Sequence, residues 1–144
     1  MRFLLITAFF LICLSACTHQ PFKRVCFTIV CVKAEIADTA QKRSEGLMFR
    51  GHLAEKEAMF FVFPEEDRFG FWMKNMRFPL DLIWVSSDKK VVDISKNLSV
   101  CSDEVCPSFN PADKVKYVLE VNAGFTDKYK IQIGDEVNFS DDFK

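Results

Sequence analysis

Residues 58–85 read AMFFVFPEEDRFGFWMKNMRFPLDLIWV, and this stretch decides the fold. Ala58 to Phe63 is an unbroken apolar run, which predicts a strand buried on both faces. Pro64-Glu65-Glu66-Asp67 carries turn chemistry. Arg68 to Lys74 then predicts a second strand, forming a hairpin with the first. Asn75 to Pro79 is a tight connection into a third strand, Leu80 to Val85.

Working outward, the same signals recur. Upstream, residues 25–36 are rich in β-branched residues. Val30, Val32, Ala34 and Ile36 alternate with Cys31, Lys33 and Glu35, as in one half-buried strand. Asp38 can cap a helix, with Gln41 in capping-box position. That helix is expected to run to about Leu47, with Ala40, Leu47 and Met48 on one face. Downstream, Ser86-Ser87-Asp88 turns the chain into Val91 to Ile94, and residues 99–113 form a polar loop. Val115, Tyr117, Leu119 and Val121 alternate with Lys116 and Glu120, another strand. A short helix falls within Asn122 to Lys130, and Gly134-Asp135 turns into a last strand, Glu136 to Phe139. The expected class is α+β: mainly an antiparallel β-sheet or small barrel, with one early helix and one short late helix.

The N-terminus carries a targeting pattern. Arg2 precedes an apolar run from Phe3 to Leu14, too short to span a bilayer and suited to a signal peptide. Leu14-Ser15-Ala16-Cys17 resembles a lipobox, in which Cys17 is acylated and becomes the new N-terminus. The expected organisation is a lipoprotein signal peptide over 1–16, a lipidated tether over 17–23 and one globular domain over 24–144. A non-Asp residue, Thr18, follows the cysteine. In a Gram-negative cell that implies the periplasmic face of the outer membrane, so the membrane becomes a partner through the N-terminal lipid.

Charge narrows the partners further. The chain has 19 Lys and Arg against 20 Asp and Glu, and no basic block, which argues against nucleic acid.

Four further stretches carry a specific pattern. They are Glu35 to Thr39; Arg43 with Gly46-Leu47-Met48-Phe49-Arg50; Phe71-Trp72-Met73-Lys74-Asn75; and Pro79-Leu80-Asp81. Tyr117 to Gly124 and Gly134-Asp135 extend it. Together they resemble the DUF192 (UPF0127) family from about residue 25 to residue 139. The resemblance implies a fold but no reaction, since no activity is attached to the family. Met76 replaces the small Thr usual after Asn75, and Ala58 replaces a usual Gly. Both swaps enlarge the residue.

After Cys17, four cysteines remain: Cys26, Cys31, Cys101 and Cys106. An exported chain meets an oxidising compartment. The Pro107-ended loop between Cys101 and Cys106 can bend, so a Cys101–Cys106 disulfide is expected. Cys26 and Cys31 would lie roughly 17 Å apart in a continuous strand, and they pair only if the strand is broken. A four-cysteine zinc site is the sharper alternative, disfavoured by that compartment and by the lack of a nearby His. No C-x-x-C motif exists for thioredoxin-like chemistry.

Catalytic signals are thin. His19 lies in the tether and His52 in a loop, without a nucleophile elbow or phosphate-binding glycine loop. No cofactor or metal is expected. The remaining polar set is Glu35, Arg43, Arg50, Lys74, Asn75 and Asp81. Lys74, Asn75 and Asp81 flank one short connection, so they are expected near one another at a sheet end beside Trp72 and Met73. There they could hold a small polar ligand. The structural alternative has Arg43, Arg50 and Asp81 in ion pairs and Asn75 serving the turn. Within the set, Asp81 is expected to be the structural member, paired with an Arg such as Arg50, and Lys74 the ligand-facing one. Trp72 and Trp84 are expected mainly in the core. The leading functional expectation is a non-catalytic envelope module binding a small polar ligand or an envelope protein. The alternative is an enzyme acting on a polar envelope substrate through Lys74, Asn75 and Asp81.

Overall fold

The structure, a computed structural model, describes residues 22–142. The signal-peptide, Cys17 and His19 expectations lie outside these residues. Phe22 and Lys23, assigned above to the tether, already belong to the first strand.

The elements run β1 (Phe22–Cys26), β2 (Cys31–Ala37), α1 (Ala40–Glu45), β3 (Glu57–Asp67), β4 (Phe71–Trp72), β5 (Leu80–Val85), β6 (Val91–Leu98), β7 (Ser108–Phe109), β8 (Val115–Asn122) and α2 (Phe125–Lys128). A six-stranded sheet has the order β1-β2-β3-β8-β5-β6, and β4 pairs with β7 in a separate ribbon. The sheet is mixed, since β2 and β3 are parallel while the other neighbours are antiparallel, and open, not a closed barrel, since its end strands β1 and β6 do not pair. The parallel pair follows from α1, which carries the chain from β2 back to the start of β3. The α+β class stands, with the sheet details differing.

Residues 25–36 form a hairpin instead of one strand. The chain reverses over Phe27 to Val30, where the Phe27 amide donates to the Val30 carbonyl at 2.8 Å. That turn contains no Gly, Pro, Asn or Asp, so its sequence reads as strand. The reversal brings Cys26 opposite Cys31, and they form a disulfide. Helix α1 begins one residue later than expected: Thr39 is its N-cap, and its side chain accepts from the Lys42 amide.

Beyond Phe63 the expected hairpin does not form. Pro64 to Asp67 continues β3, within a stretch where the register against β8 shifts between Val62 and Asp67. Pro tolerates such an irregularity because it has no ladder hydrogen bond to lose there. The strand expected over Arg68 to Lys74 shrinks to β4, which pairs with β7 inside the loop of residues 99–113. Gly70 permits that contact, since a Cβ there would lie 2.5 Å from Ser108 Oγ. The last expected strand reduces to single bridges, Lys90 to Glu136 and Cys26 to Asn138, which tie the tail to both ends of the sheet order.

Both faces of the sheet are covered. Phe60, Ile83, Tyr117, Leu119 and Val121 pack with Phe125, Ile131 and Val137 on one side. Met59, Phe61, Leu82, Trp84 and Val118 pack with Leu47, Met73 and Met76 on the other. Trp84 is fully buried, and its Nε1 donates to Ser95 Oγ at 3.0 Å.

Cys101 and Cys106 form the second disulfide, with Cα atoms 5.9 Å apart. It closes the loop that leads from β6 to β7, and the backbone pairs Cys101 with Lys74. Replacing both cysteines by serine is expected to cost on the order of 1–3 kcal/mol, because the closed loop is short. Urea denaturation, with peptide mapping without reduction, checks this. Free thiols at both positions, or a bridge to Cys26 or Cys31, would contradict it.

Candidate functional site

The sheet face that packs under α1 holds two acids in one row. Register places Glu35 beside Met59 and Met59 beside Glu120, with Leu82 next on β5. Directly opposed residues share a face, so Glu35 and Glu120 flank Met59 at a separation of about 10 Å between backbones. Their environments differ. Glu35 accepts a two-pronged pair from Arg50, with Nη1 at 2.7 Å and Nη2 at 2.9 Å. That pairing, partly opposed by burial, raises the Arg50 pKa above its ordinary value.

Glu120 has no such partner. It is buried, and its Oε2 lacks any hydrogen-bond donor. Burial pushes its pKa from the ordinary 4.5 up to about 8, with Arg50 opposing only in part. At neutral pH it is therefore mainly the uncharged acid. An unsatisfied polar atom costs roughly 1–3 kcal/mol in a protein interior, so its retention calls for a reason.

Glu120 lines a cavity of about 320 Å³. Its walls are mostly apolar: Leu47, Met48, Phe61, Phe63, Phe69, Phe71, Trp72 and Met76, with Arg43, Ser44, Glu45 and Gly46 along α1 and its C-terminal end. Gly46 takes the C-cap with φ of 51°, a conformation that glycine adopts without a Cβ penalty. A Cβ there would lie 3.5 Å from Phe61 Cζ and 3.9 Å from Glu120 Oε2. The bare Gly46 thus leaves space in front of the acid. Aromatic contacts fix the walls: Phe63 stacks on Phe69 at 3.5 Å, and Phe71 meets Phe61 edge-on at 4.9 Å.

The loop after α1 is held by the connection before β5. Asn75 sits in the left-handed region at φ 60°, which Asn tolerates. Its carbonyl accepts from the Phe49 amide at 2.9 Å, and its side-chain amide approaches Met48 Sδ at 3.8 Å. Met76, the enlarged position, follows at once and enters the cavity wall.

The polar set is therefore not one cluster. Arg43 and Trp72 reach the cavity, and Trp72 is half-exposed at 52%, so it is not a core residue. Arg43 also has a scaffold role, donating through Nη1 to the Asp38 and Val62 carbonyls at 2.7 and 2.9 Å. Glu35 and Arg50 form the adjoining ion pair. Lys74 and Asn75 instead line a more open groove with Phe49, Arg77 and Cys101. Lys74 Nζ lies 5.7 Å from the centre of the Trp72 ring.

Asp81 is fully buried and belongs to neither space. Its Oδ1 accepts from the Asn97 and Gly124 amides at 2.8 and 3.2 Å, and its Oδ2 from the Thr126 amide and hydroxyl at 3.0 and 2.7 Å. It ties β5 to β6 and α2. The expected Asp81 pairing with an Arg does not occur, since Arg50 serves Glu35. Among the described residues no group of three His, Cys, Asp or Glu is placed to hold a metal ion, and the four cysteines lie in two disulfides.

Glu120 is the residue the sequence reading missed. Alternation placed it with Lys116 on an outward face. The available signal was the unbroken run Tyr117-Val118-Leu119: a strand apolar on both faces is central, so a carboxylate within it is covered.

Fold and cavity together define a small α+β domain, built on a six-stranded mixed sheet with a two-stranded ribbon beside it, and with an acid set at the wall of an apolar cleft. Residues 25–139 match DUF192, described as an uncharacterized ACR, and the chain belongs to that family. A UPF0127 protein of Pyrococcus abyssi is 33% identical over 114 residues, covering 74% of this chain and 86% of that protein. A UPF0127 protein of Thermococcus sibiricus is 29% identical over 109 residues, covering 74% of this chain and 66% of that one. The crystal structure of a candidate transcription regulator from Sinorhizobium meliloti superposes with a TM-score of 0.78 at 29% identity, over 83% of this chain and 95% of that one. A protein of unknown function from Novosphingobium aromaticivorans gives 0.72 at 32% identity, over 81% and 83%.

Proposed function

We propose that this protein is a non-catalytic, lipid-anchored envelope module that binds a small, largely apolar ligand in the cavity between α1, β3, β4 and β8. The observation that carries this reading is the Glu120 carboxyl, buried with an unsatisfied Oε2 at the wall of an aromatic cavity of about 320 Å³. Ligand sites are characteristically apolar hollows with a few convergent polar groups, one often titrating abnormally. The ligand is thus less polar than the sequence implied, with one polar group directed at Glu120. A catalytic role for Lys74, Asn75 and Asp81 lacks support, because the Asp81 carboxylate is fully occupied by backbone amides and Thr126. The regulator label of the Sinorhizobium meliloti protein brings no nucleic-acid role here, given 19 basic against 20 acidic residues.

The test is ligand-dependent thermal stabilisation of the full chain, followed by chemical-shift mapping of each stabilising compound. Shifts centred on Gly46, Phe61 and Glu120 are expected. Shifts confined to Lys74, Asn75 and Arg77 would move the site to the neighbouring groove.

Anchoring rests on the apolar run from Phe3 to Leu14 and on Leu14-Ser15-Ala16-Cys17. Several acyl chains hold a protein firmly, whereas none leaves it free to dissociate. Cys17→Ser is expected to lose fatty-acid label and leave the membrane fraction or accumulate uncleaved. A mutant that fractionates and labels like the wild type would remove the lipoprotein reading.

A further inference from the structure

We propose that the cavity takes a small organic ammonium ion, with Glu120 as its counter-ion and the surrounding aromatic rings as its walls. This deepens the ligand-site reading above and rests on it. The case begins with charge. From β2, Glu35 is paired with Arg50, which comes from the loop after α1. From α1, Arg43 and Glu45 line the cavity with opposite signs. The neighbours of Glu120 on β3 and β5 are Met59 and Leu82, which carry no charge. Among the described residues that line the cavity, an ionised Glu120 would therefore leave one net negative charge, and a single positive charge in the cavity restores the balance.

The wall chemistry agrees. Phe61, Phe63, Phe69, Phe71 and Trp72 line the space, and two of these rings already face cations of the chain, Arg43 at 5.3 Å from the Phe63 centre and Lys74 at 5.7 Å from that of Trp72. Aromatic faces attract cations, most strongly where water is excluded. An anionic ligand would meet those same faces unfavourably, and Arg43 Nη1 is already committed to two backbone carbonyls. A neutral hydrogen-bond acceptor could engage the protonated acid but would gain nothing from the rings beyond burial.

Binding has a proton balance that can be measured. The free carboxyl is mainly protonated at neutral pH, because burial pushes it to about 8. When the ammonium ion enters, Glu120 releases that proton to solvent, and no covalent bond to the ligand forms or breaks. Affinity then rises with pH by up to about tenfold per unit below the free carboxyl's midpoint, and levels off above it.

The probes are choline and its uncharged carbon isostere 3,3-dimethylbutanol, titrated into the full chain in maltoside detergent by calorimetry. Choline is expected to bind at least about tenfold more tightly. At pH 7 it should release close to one proton per molecule bound, read from buffers of different ionisation enthalpy. Glu120→Gln should abolish both the preference and the proton release. If 3,3-dimethylbutanol binds as well as or better than choline, the ammonium assignment is overturned while the cavity remains a ligand site. Choline binding without proton release also overturns it, in the wild-type protein alone. If neither probe binds, and the compound screen above likewise yields nothing at Gly46, Phe61 and Glu120, both readings fall.

Discussion

Asp81→Ala is expected to destabilise the domain by something on the order of 4–6 kcal/mol, a large share of a typical domain's total stability. The carboxylate accepts from three backbone amides and one hydroxyl inside the protein. Removing it strands four donors, of which the Thr126 amide and hydroxyl are buried and the Asn97 and Gly124 amides partly so. Each hydrogen bond to a charged group is worth roughly 1.5–3 kcal/mol, discounted here for relaxation. The damage is spread over β6 at Asn97 and over the entry to α2 at Gly124 and Thr126. A fall in melting temperature of roughly 15 °C or more should follow. Asp81→Asn keeps an acceptor for Asn97 and Gly124 and should lose less. Lys74→Ala, in the open groove, should leave stability nearly unchanged. A loss below about 1 kcal/mol for Asp81→Ala would contradict the structural role.

The second large effect depends on pH. Glu120 goes from an ordinary 4.5 to about 8 on folding. Between those values the native state keeps a proton that the unfolded chain has released. Stability therefore falls as pH rises through that window, and is constant with respect to this group below and above it. The integrated change is on the order of 3–5 kcal/mol, since every tenfold difference in proton affinity between the folded and unfolded chain is worth about 1.4 kcal/mol. Glu120→Gln keeps the shape and removes the titration. Its stability should match the wild type near pH 5 and exceed it by several kcal/mol near pH 9. Parallel stability curves for the two proteins would show that Glu120 titrates as an exposed acid.

Much of the fold was legible because an apolar run and an alternating pattern each mark a strand, although alternation took β8 for a strand buried on one face only. Leu80 to Val85 and Val115 to Val121 coincide with β5 and β8 to within a residue. The failures have identifiable causes. The Phe27 to Val30 reversal is made of strand-forming residues and is set by tertiary pairing and a disulfide, so no local signal marks it. Pro64 looked like a turn, but the irregular register of β3 accommodates it. The β4–β7 pairing joins residues far apart in sequence, and Gly70 was its only trace.

The site was legible in part. Part of the motif set borders or supports the cavity, with divided tasks, while Lys74 lies in the neighbouring groove and Asp81 in neither space. Arg43 and Trp72 border the cavity, Gly46 leaves room within it, Asn75 holds its loop, and Glu35 occupies Arg50. Proximity in sequence suggested that Lys74, Asn75 and Asp81 act together. Strand geometry separates them, since Asp81 points into the α2 junction while Lys74 stays beside Trp72. Glu120 escaped notice because alternation assigns a face without saying whether that face meets water. Only the cover that Gly46, Leu47 and the loop after α1 put over β8 settles that question.

The most direct test is a titration of the Glu120 side-chain carboxyl, labelled with carbon-13 and followed by NMR from pH 4 to pH 10. A buried, unpartnered acid at the cavity wall should show a midpoint near 8. A midpoint near the ordinary carboxyl value of 4.5 would mean that the group is solvated or paired, and the cavity would lose the polar anchor on which its assignment as a ligand site depends.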